Sequence, residues 1–112
     1  MPPSDLELLQ GTLDVLVLKS LIWGARHGYA VARWIKDMSD DALAVEDRAL
    51  YVALHRMEQR GWLAADWGLT EKNRQAKFYH LTPKGRAALA AEVRRWSRYT
   101  ETVNLVLAAR GA

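Results

Sequence analysis

The feature that most constrains this chain lies near its C-terminus. Thr82 followed by Pro83 supplies a capping hydroxyl and then a proline suited to the first helical position, so a helix is predicted to start there. Beyond it Leu89, Val93, Trp96, Thr100, Val103 and Leu107 recur at intervals of 4, 3, 4, 3 and 4, the a/d rhythm of a coiled-coil seam. A helix from Pro83 to Ala109 is about 40 Å long at roughly 1.5 Å per residue. The remainder of a 112-residue chain is too small to cover such a rod, because small domains have much surface for their volume. The spacing therefore predicts a dimerisation helix over 83–112 that pairs with a second copy.

The first 82 residues carry several shorter elements. Leu6 to Trp23 reads as a helix, with Leu6, Leu9, Leu13, Leu16 and Ser20 in steps of 3 and 4 and further apolar residues widening the stripe. A helix apolar on two sides needs two covers, and Leu6, Leu9 and Leu13 are expected at the subunit contact. Gly24 and Gly28 bracket a break, and a second helix runs from Tyr29 to Met38 with Val31, Trp34, Ile35 and Met38 inward. Asp47 is a suitable N-cap for a third helix, which Gly61 ends. Its inner side is Leu50, Leu54 and Met57, while Arg48, Tyr51, Val52 and His55 share the other side. Three helices joined by short turns, the third with an outward face of that kind, suggest a helix-turn-helix.

Two strands are predicted next, Trp62 to Trp67 and Ala76 to Leu81, around a polar loop holding Lys72 and Arg74, with Lys77 just beyond. Lys77, Tyr79 and Leu81 fall on one face by the period of 2. A basic hairpin directly after a candidate recognition helix has the form of a wing. The expected fold is mainly α with a small β-hairpin: a winged helix-turn-helix over 1–82 plus the C-terminal helix.

Charge sharpens this reading. Residues 1–70 hold 7 Lys/Arg against 10 Asp/Glu, whereas residues 71–112 hold 9 against 3. A basic C-terminal third suits a polyanionic partner, although cations that merely solubilise a long helix give the same count. There are no cysteines, which removes thiolate nucleophiles and Cys-ligated zinc. His27, His55 and His80 lack metal-ligand spacing, and no nucleophile motif or phosphate-cradling glycine loop is present. The chain is expected to be no enzyme, to need no cofactor or metal, to have no membrane span, and to work in the cytoplasm.

Four stretches together resemble the PadR family of transcriptional regulators, in its short form with one C-terminal helix: Gly11-Thr12-Leu13, His27-Gly28-Tyr29, Leu50-Tyr51 with Ala53-Leu54-His55-Arg56-Met57-Glu58, and Tyr79-His80-Leu81-Thr82 followed by Gly85. The resemblance runs from about Leu8 to Leu89. It implies a homodimeric winged-helix protein that represses transcription at a palindromic operator. This chain departs from the family pattern at Asp47, Arg48, Ala49 and Val52, where small residues and a proline are usual, so an operator sequence does not carry over.

Base-edge contacts are expected from Arg48, Tyr51, Val52 and His55. Arg48 leads because a guanidinium bonds both acceptors of a guanine; the plainer alternative is a surface arginine beside Glu46 and Asp47. Tyr29 and Arg56 are candidates for phosphate contacts, with a core aromatic as the alternative for Tyr29. Lys72, Arg74 and Lys77 would follow the backbone or enter a minor groove from the wing, or else belong to a solvated loop. Trp96 either fills the seam or, as the resemblance implies, stacks a small aromatic effector between two subunits. Trp23, Trp34, Trp62 and Trp67 are read as core or hairpin packing. The alternative function is a winged-helix protein-interaction module that does not recognise DNA.

Overall fold

The computed structural model describes residues 11–111; Leu6 and Leu9 of the expected subunit contact lie outside them. The order is α1 (Thr12–Ser20), β1 (Arg26–His27), α2 (Gly28–Met38), α3 (Asp47–Gln59), β2 (Leu63–Leu69), β3 (Gln75–Leu81) and α4 (Pro83–Ala108). This is the expected winged arrangement with one addition. Arg26 and His27 pair antiparallel with Tyr79 and Phe78, which makes the hairpin a three-stranded sheet in the order β1-β3-β2.

The helix expected to reach Trp23 stops at Ser20. The chain turns through Gly24, whose φ of +144° suits a residue without Cβ. Arg26 then folds back, its Nε donating to the Ser20 carbonyl at 2.8 Å, and so satisfies one of the carbonyls that a helix end leaves open.

One core joins all the elements except β1. Val17, Leu18 and Leu21 from the first helix and its turn meet Val31 and Ile35 of α2, and Leu50, Ala53, Leu54 and Met57 of α3. Leu63, Tyr79 and Leu81 close it from the base of the hairpin, and Leu89 from the start of α4. Met38, expected on the inner stripe of α2, is exposed at the helix end, past the edge of this core.

Two junctions fix the hairpin and α4 against α3. At the end of α3, Gly61 takes φ +79°, Trp62 N–H donates to the Met57 carbonyl and Gly61 N–H to that of Glu58, both at 3.0 Å; this is a Schellman cap. At the start of α4, Thr82 Oγ1 accepts from Gly85 N–H at 3.0 Å, the predicted cap. The same hydroxyl lies 2.6 Å from the Gly61 carbonyl, to which it donates, and Thr82 N–H donates to the Trp62 carbonyl at 3.1 Å. Gly85 packs so closely on that carbonyl that a Cβ there would overlap it.

From Ala90 onward α4 leaves the body and most of its side chains are exposed. The Cα radius of gyration, 16.0 Å, exceeds the roughly 13 Å of a compact chain of this length. Among the described residues no helix is long and apolar enough to cross a membrane.

Candidate nucleic-acid interface

The surface opposite the core is built from α3, the N-terminus of α2 and the hairpin. In α3 the buried residues Leu50, Ala53, Leu54 and Met57 leave Arg48, Tyr51, Val52 and His55 exposed on the other side. Asp47 is not the cap. Glu46 holds that position without a side-chain bond, and Asp47 is the first helical residue, where its charge still suits the positive end of the helix.

Tyr29 is 68% exposed, which removes the core-aromatic alternative. Its ring stacks beside His27 at 6.3 Å. His27 caps α2 through Nδ1, accepting from Ala30 N–H at 3.3 Å, a role the sequence analysis did not assign. Gly28 faces Tyr51, and a Cβ at position 28 would stand 3.2–3.3 Å from the phenol ring. The start of α2 thus abuts the aromatic on the exposed face of α3.

The hairpin tip is tightly built. Asn73 N–H donates to the Thr70 carbonyl at 2.9 Å, and Thr70 N–H to that of Arg74 at 2.8 Å. Asn73 takes φ +61°, so the loop is a turn closed by a left-handed residue, a common three-residue hairpin solution. Lys72 and Arg74 are both exposed on it. Between the hairpin, α2 and Tyr51 lies a cleft of about 1030 Å³, whose lining includes Tyr29, Arg33, Lys72 and Arg74.

Two expected contact residues, both half-buried, carry ion pairs within the chain. Arg56 makes a two-pronged pair with Asp14, Nη1 to Oδ2 at 2.6 Å and Nη2 to Oδ1 at 2.8 Å, and that bonding raises its pKa above the ordinary arginine value. Lys77 Nζ lies 2.9 Å from Glu58 Oε1, and the bond likewise raises its pKa. Both cations brace α3, against α1 and against β3. Neighbouring Tyr79 is buried, which raises its phenol pKa. The partners Asp14 and Glu58 carried no signal in sequence beyond being acids.

The expected dimer residues divide in the same way. Leu89 is in this chain's own core and Leu13 packs against it, so the seam of α4 begins beyond Leu89. Val93, Trp96 and Leu107 are exposed, and Thr100 and Val103 half-buried. The Thr100 hydroxyl is satisfied within the helix by the carbonyls of Trp96 and Ser97, both at 3.1 Å. Among the other tryptophans, Trp34 and Trp62 pack against the core, but Trp23 and Trp67 are mostly exposed. Trp23 sits in the turn after α1, 5.7 Å from Trp34; Trp67 stands on the part of β2 that extends past the core.

The profile of the transcriptional regulator PadR-like family matches residues 17–91, from α1 through the wing to the start of α4. The chain belongs to this family. Solved structures share its fold: a PadR family transcriptional regulator from Eggerthella lenta is 28% identical, with a TM-score of 0.77 over 90% of this chain and 86% of that one. A transcriptional regulator from Clostridium thermocellum is 25% identical, with a TM-score of 0.77 over 85% and 92%. An uncharacterised protein of Lysinibacillus sphaericus is 24% identical over 101 residues, 90% of this chain and 93% of that one. As a PadR-like regulator the protein is a DNA-binding transcriptional regulator and not an enzyme.

Proposed function

We propose that this PadR-like regulator is a cytoplasmic homodimeric repressor of a palindromic operator, with α3 in the major groove and the wing on the flanking backbone. The observation that carries the reading is the apolar seam of α4. Val93, Trp96 and Leu107 face solvent in the single chain at the spacing a partner helix would fill. Two copies joined there present two α3 helices, and a two-fold protein reads two half-sites about 34 Å apart. Arg48, Tyr51, Val52 and His55 are the proposed base readers, with Tyr29, Lys72 and Arg74 on the backbone. Repression is the family expectation.

Sedimentation of the free protein, then titration of a labelled duplex at two salt concentrations, tests this. A dimer whose DNA affinity falls steeply with salt is expected, as counterions leave each neutralised phosphate. A protein-interaction module would bind no duplex at either concentration.

Trp96 lies 6.2 Å from Tyr99 with the rings tilted by 33°, and this aromatic pair beside the seam favours an added role in holding a flat aromatic effector. Quenching of Trp96 emission by planar aromatics, lost in Trp96→Leu, is the corresponding test.

A further inference from the structure

Trp67 lines the cleft between the wing and α2 and is 70% exposed. Its ladder partner is Lys77, as Ala65 is partner to Tyr79 and Leu63 to Leu81. Directly opposed residues in an antiparallel pair share a face. Trp67 therefore continues the core-facing row of β2 outward, past the last core residue, onto the wall of the cleft. Leu69, the next residue in that row, is also exposed. The wing thus sets the indole of Trp67 on the cleft wall and carries Lys72 and Arg74 at its tip.

We infer that Trp67 is a DNA-binding residue, its indole lying against the deoxyribose faces of the strand that enters the cleft. This rests on the reading of the protein as a duplex binder and adds a contact of a different kind. A nucleic-acid backbone alternates anionic phosphates with apolar sugars. A wall that matches it needs cations and apolar surface in turn. The cleft has both: Lys72 and Arg74 against Glu71 beside Trp67, with Arg33 paired to Asp37 and Lys77 to Glu58. The net positive lining favours a polyanion over an acid-neutral peptide, and the indole supplies a large area to cover at little rotamer cost. Contact with sugars is independent of base sequence, so Trp67 strengthens binding to every duplex.

The test uses the full-length protein with a random-sequence duplex, by fluorescence anisotropy at two or three salt concentrations. Trp67→Ala is expected to weaken binding about tenfold and Trp67→Phe much less. The slope of affinity against salt should stay unchanged in both, because no charge is removed. Duplex should also change tryptophan emission in the native protein and do so less in Trp67→Phe. An exposed side chain can be replaced without unfolding, and matching thermal melts verify that. Native affinity in Trp67→Ala, or an equal loss traced to a changed salt slope, overturns the assignment while leaving the protein a duplex binder. Failure of the native protein to bind any duplex overturns the underlying reading and this inference together.

Discussion

The guanidinium of Arg56 and the carboxylate of Asp14 form a two-pronged pair across 42 residues of sequence, at 2.6 and 2.8 Å. It ties α1 to α3 and so sets how α3 sits on the body. Asp14→Ala is expected to cost about 1–2 kcal/mol. That is less than a fully buried pair, because Arg56 keeps 39% of its side chain in contact with water and can be solvated when released. Urea unfolding measures it. Arg56→Ala should also leave the salt slope of DNA binding unchanged; a slope reduced by about 0.9 would make it a phosphate ligand after all.

Gly85→Ala drives a Cβ into the Trp62 carbonyl, which is backbone and has no rotamer to change. Overpacking of this kind costs about 3 kcal/mol. A variant with an unaltered unfolding midpoint would show that α4 does not rest on the α3–β2 junction as described.

The hairpin should lose stability in alkali. Burial raises the phenol of Tyr79, and the bond to Glu58 raises Lys77. Each native group keeps its proton at a pH where the unfolded chain has released it, so unfolding releases protons and stability falls as pH rises. The contribution is whole below pH about 10 and fades above it. Melting temperatures from pH about 8 to 11 should drop more gently for Tyr79→Phe than for the native protein; parallel profiles would contradict this.

In the proposed dimer, a charge on the α4 seam should separate the subunits. Val103→Asp is expected to halve the sedimenting mass at micromolar concentration and, with it, to abolish preference for a two-half-site operator. A variant that remains a dimer would move the interface elsewhere.

On the proposed groove-facing side, Arg48→Ala should reduce discrimination between operator and random duplex with the dimer intact, by about 1–3 kcal/mol if it bonds a guanine. Arg74→Ala should weaken both duplexes equally and lower the salt slope by about 0.9. Competition binding distinguishes them.

How far the sequence reaches is clear from particular residues. The periodicity of Leu50, Leu54 and Met57 placed the buried side of α3, and Thr82-Pro83 placed the start of α4, because both signals are local. What stayed hidden depends on partners far along the chain. Arg56 and Lys77 looked like free cations until Asp14 and Glu58 came alongside. β1 is two residues long, too short for any period, and exists only because β3 offers an edge. Trp67 reads as core or hairpin packing, and only the length of the hairpin shows that its row outruns the body. Leu89 obeys the seam spacing and yet is used by its own domain.

Gly28 has a wider consequence. With no side chain of its own, it leaves just enough room for the ring of Tyr51, so the rotamer of a proposed base reader is governed from another helix. An alanine there would tilt the phenol while every groove-facing residue kept its identity. In the proposed reading, operator preference can then drift, in nature or by design, through a position other than the base readers.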